Sequence, residues 1–234
     1  MTLPGRSLVI LAGGSSERLG KKKTLVEIGE RAVILRLLDA TAKITDVVVA
    51  VRETWRHLLV LEADGWERVA EDSDATETVV LGLGDRLVRL VVDPEPGQGP
   101  LAGLVSGLAN VSGRLVLLLA GDLPFVTAQF SEEILDILAR DLELDAVVPF
   151  VNGRAQPLCA AYRAEVREPA GGFLESSLAT DQGPTMTGLL ERLSVRYIGS
   201  DTLSGDGDLS RVTKGINTPE DLKWAQREAE LLGA

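Results

Sequence analysis

The residues most capable of chemistry lie in Leu8–Thr24, LVILAGGSSERLGKKKT. A continuous apolar run from Leu8 to Ala12 breaks at Gly13-Gly14 into a small, polar, cationic loop with Arg18, Lys21, Lys22 and Lys23. Paired glycines permit positive φ and close approach of a ligand to the backbone, so consecutive N–H groups can converge on an anion. In a chain of net charge −11, such a local concentration of donors outlines a phosphate site. Glycine pairs after strands also serve as plain turns, and basic clusters as solvated surface. The spacing fits neither common phosphate fingerprint. Five residues separate Gly14 from Gly20, and Lys21 is followed by Lys22 rather than Ser or Thr. It is not a P-loop, and G-x-G-x-x-G is absent from this stretch.

Two aspartates complete the candidate chemistry. Asp93 and Asp122 follow the apolar runs Leu87–Val92 and Arg114–Ala120. A carboxylate leaving a buried strand beside a phosphate loop can hold Mg²⁺, which takes one or two carboxylates and completes its shell with water and phosphate. Either residue could equally be a turn former, since Asp-Pro and Gly-Asp-x-Pro are good turn sequences. The single histidine, His57, falls in an expected helix and the single cysteine, Cys159, in an apolar strand. Both read as structural, which argues against a Ser-His-Asp or Cys-His mechanism and against zinc. A nucleophile that is already an anion needs no general base, only positioning and charge neutralisation.

These residues need a scaffold that brings strand ends together. Apolar runs at Ser7–Ala12, Asp46–Val51, Leu87–Val92, Arg114–Ala120 and Ala146–Pro149 alternate with helical patterns. The helices are expected at Arg31–Lys43, Thr54–Ala63, Pro100–Ala109 and Ser131–Arg140, with Thr54 as an N-cap and Glu132 and Glu133 in a first turn. The alternation predicts an α/β fold with a doubly wound, mostly parallel sheet in one domain, with ligands beyond the carboxyl ends of the strands. Leu25–Ile28 reads as a short extended piece, and Asp64–Asp85 has no clear assignment. Beyond residue 150 the pattern is less regular. A strand is expected at Gln156–Tyr162, a helix at Thr185–Leu193, a strand at Val195–Ile198 and a flexible polar stretch at Ser200–Gly207. A final helix opens at Thr218-Pro219-Glu220-Asp221, with Thr as N-cap, Pro at the first position and acids in the first turn.

At 234 residues the chain has ample length for a core. An acidic balance, with a pI near 4.7, argues against a broad nucleic-acid footprint. One cysteine excludes an intrachain disulfide framework and fits a reducing compartment. No signal-peptide pattern or membrane-length apolar run is evident, so the cytoplasm is the expected location.

LAGGSSERLGKKK resembles the LAGG-x-S-x-R-M-G-x-D-K signature of MobA-like nucleotidyltransferases, which include the molybdenum cofactor guanylyltransferases. GQGPLAGLVSGL at Gly97–Leu108, GDLPFV at Gly121–Val126, GRAQPLCAAY at Gly153–Tyr162 and INTPEDL at Ile216–Leu222 extend the resemblance in the family's order. It implies a Rossmann-like nucleotidyltransferase fold, with residues 1–150 as a nucleotide-binding part and 151–234 as an acceptor-binding part. The implied reaction joins GMP from GTP to the phosphate of molybdopterin, a pterin acceptor, with Mg²⁺ and release of pyrophosphate. By motif position, Leu11, Ala12, Gly13, Gly14 and Asp93 would bind nucleotide. Arg18 and Lys23 would act on its phosphates, Asp122 would hold the metal, and Gln156, Pro157, Leu158 and Asn217 would line the acceptor side. The resemblance leaves room for self-association or for partners in molybdenum-enzyme maturation. It implies neither nucleic acid nor membrane.

The chain departs from the family pattern in several places, including extra length near Asp64–Asp85 and Asp181–Arg211. Lys22 stands where the signature has aspartate, Gly215 where the usual N-x-N-T-P has its first asparagine, and Arg52 where some members carry asparagine near the base. These departures bear on base selectivity and on the acceptor. A related transferase using CTP or another phosphorylated acceptor, such as a sugar phosphate, is the alternative enzyme. A nucleotide-binding module without catalysis is the alternative from another class.

Overall fold

A computed structural model describes residues 5–13, 15–16, 21–72, 78–92, 99–178, 183–204 and 208–233. Among these residues ten strands form the main sheet: β1 Arg6–Leu11, β2 Asp46–Val51, β3 Glu67–Asp72, β4 Thr78–Leu83, β5 Arg86–Val92, β6 Leu115–Ala120, β7 Ala146–Val151, β8 Arg154–Ala155, β9 Cys159–Arg163 and β10 Val195–Ile198. The order is β8-β7-β9-β6-β1-β2-β5-β4-β3, with β10 also paired to β7. The centre, β6-β1-β2-β5, is parallel. Antiparallel β9 separates β6 from β7. A β3–β4 hairpin, also antiparallel, extends the far edge from β5.

Among the described residues eight helices surround the sheet: α1 Val33–Ala40, α2 Trp55–Ala63, α3 Pro100–Ala109, α4 Ala128–Arg140, α5 Arg167–Leu178, α6 Met186–Leu190, α7 Leu209–Val212 and α8 Pro219–Leu232. Alternate residues of a strand point to opposite faces, and both faces of β1 are covered. Leu8 and Ile10 join a core with α1, α2, α4, α7 and α8. Val9 joins a second core with α3, α5 and α6. Double burial explains why the central strands are continuously apolar rather than alternating. The fold is the expected doubly wound, mostly parallel one.

Helix α3 lies unusually close to β1. A Cβ on Gly107 would stand 2.4 Å from Val9 Cγ1, and one on Gly103 would stand 3.0 Å from Leu11 Cδ2. The small residues of this helix therefore bring its start, at Gly99-Pro100, over the end of β1. At the opposite end of the sheet a polar cluster ties the strands' beginnings together. Asp46 accepts hydrogen bonds from Ser7, from the Ser112 amide at 2.8 Å and from Arg89. Burial pushes its carboxyl up, but these hydrogen bonds, the one from the Ser112 hydroxyl and the Arg89 charge outweigh burial and hold it below its ordinary value.

Several elements differ from expectation for identifiable reasons. Asp64–Asp85, without a clear assignment above, contains the paired strands β3 and β4; Gly65, just before β3, and Gly84, between β4 and β5, both take positive φ. Helix α4 begins at Ala128 because the Thr127 hydroxyl accepts from the Phe130 amide. Glu132 and Glu133 consequently sit beyond its first turn. Thr54 occupies the N-cap of α2 but in helical conformation, without a side-chain cap. Leu25–Ile28 divides into a 3₁₀ turn at Lys23–Leu25 and a small ladder pairing Glu27–Ile28 with Arg31–Ala32 around Gly29. The strand expected from Gln156 starts only at Cys159, and the helix expected at Thr185–Leu193 is confined to Met186–Leu190. Ser200–Thr202 forms a 3₁₀ turn, and the rest of the Ser200–Gly207 stretch is partly outside the described residues. Helices α5 and α7 had no counterpart in the sequence reading. Helix α8 has the expected start, with a reciprocal cap between Thr218 and Asp221.

Candidate active site

The ends of the parallel strands open into a cleft of about 760 Å³. Strand β1 contributes Leu11 and, just beyond it, Gly13; β2 contributes Ala50 and then Arg52; β6 ends at Ala120 and leads into Gly121-Asp122-Leu123. The start of α3 and the Gln156–Leu158 loop supply further walls, and Thr185-Met186 and Thr213–Asn217 close the remaining side. Mostly apolar walls with a few convergent polar groups are typical of a small-molecule site.

The polar groups converge at one point. Lys23 Nζ donates to Asp122 Oδ2 at 3.0 Å and also to Asn217 Oδ1. Three segments distant in sequence thereby meet: the first loop, the end of β6 and the approach to α8. Their meeting is secured by the main chain. The Gly121 amide donates to the Leu11 carbonyl at 2.9 Å, and the Ile216 amide to the Asp122 carbonyl at 3.0 Å. A Cβ on Gly121 would lie 2.9 Å from both the Leu11 carbonyl oxygen and Thr24 Oγ1. Glycine is thus required for β6 to end so close to the first loop.

Gly215 has a comparable role beside the carboxylate. A Cβ there would lie 2.9 Å from Asp122 Oδ1 and 3.1 Å from its Cγ. The glycine keeps one side of Asp122 free of crowding. Asn217 is fixed from behind, because its amide and that of Thr218 donate to Asp221 at 3.0 and 2.9 Å. Burial pushes the Asp221 carboxyl up, but these amides and the Thr218 hydroxyl outweigh it and lower it overall.

The donor set suits one kind of metal. Among the described residues no three His, Cys, Asp or Glu side chains cluster, and Asp122 is the single acid in the cleft wall. One carboxylate beside open space fits a hard cation that retains waters and takes phosphate oxygens, as Mg²⁺ does. It does not fit a caged zinc or calcium ion.

Of the residues expected at the site, Leu11, Gly13, Lys23, Asp122, Gln156, Pro157, Leu158 and Asn217 line the cleft. Ala12 lies behind the wall; it is buried, and its amide donates to the Ala50 carbonyl at 2.8 Å. Gly14, Arg18 and Asp93 lie outside the described residues. Cys159 also borders the cleft but is buried, and burial pushes its thiol up, so it offers no thiolate. The sequence reading missed Thr24, Thr185, Met186 and Thr213. Thr24, adjacent to Lys23, was recognisable only by that adjacency.

The Gln156–Leu158 wall is held from beneath. Tyr162, fully buried, donates its hydroxyl to the Pro157 carbonyl at 2.8 Å. The Cys159 amide donates to the Gln156 carbonyl at 3.1 Å, and the Ala120 amide to the Leu158 carbonyl at 2.7 Å.

Known proteins resemble this chain in sequence and in fold. A probable molybdenum cofactor guanylyltransferase of Bacillus anthracis is 29% identical over 225 residues, covering 94% of this chain and 95% of its own. Among solved structures, molybdopterin-guanine dinucleotide biosynthesis protein A of Archaeoglobus fulgidus superposes with a TM-score of 0.70 at 21% identity, covering 96% and 99% of the two chains. A 4-diphosphocytidyl-2C-methyl-D-erythritol synthase of Anaerococcus prevotii gives 0.66 at 17% identity, covering 97% and 96%. The profile of the MobA-like NTP transferase domain matches residues 8–184. With that match spanning most of its length, the chain belongs to the MobA-like NTP transferase family.

Proposed function

We propose that this protein transfers GMP from GTP to the phosphate of molybdopterin, with Mg²⁺, and releases pyrophosphate. The observation that carries the reading is the convergence of Lys23, Asp122 and Asn217 at the strand ends of a cleft large enough for a nucleotide and an acceptor. The similarity to proteins named as guanylyltransferases supports the choice of GTP and of a pterin acceptor.

In this reading residues 1–150 bind the nucleotide and 151–234 the acceptor, the two parts meeting where Asn217 contacts Lys23. Leu11, Gly13, Gly14 and Asp93 contribute to nucleotide binding, with Ala12 supporting them from behind. Lys23 and Arg18 neutralise the triphosphate, and the amides of the first loop donate hydrogen bonds to its oxygens. Gln156 and Pro157, braced by Tyr162, orient the acceptor so that its phosphate oxygen faces the α-phosphorus. The attacking oxygen carries its own negative charge, so no side chain need remove a proton. Asp122 would hold Mg²⁺, which supplies charge neutralisation at the phosphates when bound. The remaining work of these residues is to align two anions that would otherwise repel. We place the reaction in the cytoplasm; among the described residues no helix is long and apolar enough to cross a membrane.

Replacing Asp122 with Ala tests the assignment, with loss of turnover by orders of magnitude expected while the fold persists. Near-wild-type pyrophosphate release by Asp122→Ala would remove the metal role. The same phosphate machinery would serve another base, and the exposed Arg52 in the cleft wall is the departure that bears on this choice. Thermal shifts with each nucleoside triphosphate and Mg²⁺ decide it, since a ligand at 100 times its dissociation constant stabilises by about 2.7 kcal/mol. A larger shift with CTP than with GTP would make the protein a cytidylyltransferase.

A further inference from the structure

The carboxylate assigned to the metal already has a partner. Lys23 Nζ lies 3.0 Å from Asp122 Oδ2, and the two side chains expose only 18% and 17% of their surface. Charges shielded in this way are screened less by salt and water than a surface pair. The ammonium is held from a second side by Asn217 Oδ1, itself fixed through its amide to Asp221 at 3.0 Å. Lys23 is therefore docked on Asp122.

A divalent cation approaching alone would meet a compensated carboxylate and an adjacent positive charge. The described cleft wall has no second acid to offset that repulsion, which is strong for like charges a few ångströms apart in a shielded site. A triphosphate changes this balance. Its oxygens offer Lys23 a new partner and add negative charge for the metal.

We propose that Lys23 guards Asp122, so that a divalent cation is admitted only together with the nucleoside triphosphate, as Nζ moves from the carboxylate to the phosphates. The inference rests on the assignment of Asp122 as the metal carboxylate. Lys23 thus acts twice, first excluding the metal and then binding the substrate. Asn217 is a positioning residue that steadies the ammonium in its first location.

Mn²⁺ binding, followed by the electron paramagnetic resonance signal of the free ion, tests the guard apart from activity. Binding that depends on Asp122 is the difference between each background and its Asp122→Asn counterpart. That subtraction removes other acids in a chain of net charge −11. Without nucleotide, wild type should show no such difference, whereas Lys23→Gln should bind Mn²⁺ at least tenfold more tightly than wild type. Adding GTP to wild type should restore Asp122-dependent binding. Lys23→Gln binding Mn²⁺ no more tightly than wild type would overturn the guard. So would wild type binding it equally tightly with and without GTP, a comparison that needs no folded Lys23 variant. If Asp122→Asn leaves Mn²⁺ affinity unchanged even with GTP, the metal assignment itself fails, and the inference with it.

Discussion

Single residues set how closely other groups approach Asp122. Gly215 departs from the family's asparagine, yet the structure gives the departure a physical consequence, because any Cβ there would press on the carboxylate at 2.9 Å. Gly215→Ala should therefore lower turnover at least tenfold while the thermal unfolding midpoint moves by no more than a few degrees. A midpoint drop large enough to explain the lost activity would make Gly215 a packing residue instead. Lys23 and Asp122 were both legible in the sequence, because basic and acidic residues at strand ends are brought to one edge by a parallel sheet. Their partnership with Asn217, 194 residues from Lys23, was not. Nothing in residue type or periodicity links such distant segments, and the family resemblance alone pointed to that position.

At the scale of elements, the cleft is built from strand ends and from the short segments that brace them. Tyr162 shows how a buried strand residue reaches the site indirectly. Its hydroxyl fixes the Pro157 carbonyl, and burial pushes its ionisation well above the ordinary range, so it remains a donor at all working pH. Tyr162→Phe should raise KM for the acceptor several-fold while leaving KM for the nucleotide unchanged, with a stability loss of about 1 kcal/mol. Steady-state kinetics with each substrate varied in turn, together with denaturant unfolding, measure both effects. Equal changes in the two KM values would argue against a loop-specific role. In α3, Gly107→Ala places a methyl 2.4 Å from Val9 Cγ1, and such overpacking should cost about 1–3 kcal/mol in the same unfolding assay.

The legibility of the elements follows from their burial. Strands buried on both faces announce themselves as apolar runs, so β1, β2, β5, β6 and β7 were readable. The β3–β4 hairpin sits at the sheet edge, where Val69 and Leu83 remain exposed, and its mixed polarity and glycine breaks match no single pattern. Helix α5 contains Pro169, Gly171 and Gly172, residues that weaken a helical pattern. Pro169 is tolerated because it lies in the first turn, where its missing N–H has no intrahelical partner.

For the whole molecule, the cleft and the Asp46 cluster occupy opposite ends of the sheet. The carboxyl ends of the strands form the cleft, and the amino ends are tied by Asp46 to Ser7, Ser112 and Arg89. Asp46 is held below its ordinary value, so its ionised form favours the folded state. Its contribution is fully present above the unfolded carboxyl value of about 3.9 and is lost as pH falls through the lower folded value. Asp46→Asn should destabilise the protein at neutral pH and shrink the difference from wild type below about pH 4. Chemical unfolding across that range checks the sign. A difference that grows on acidification would contradict it.

Coupled detection of pyrophosphate decides whether the cleft joins two phosphates. Purified protein mixed with GTP, Mg²⁺ and molybdopterin should release pyrophosphate in step with formation of a guanine dinucleotide, and Asp122→Ala should do neither at a comparable rate. Tight binding of GTP without pyrophosphate release by the wild-type protein would contradict the account and leave a nucleotide-binding module in its place.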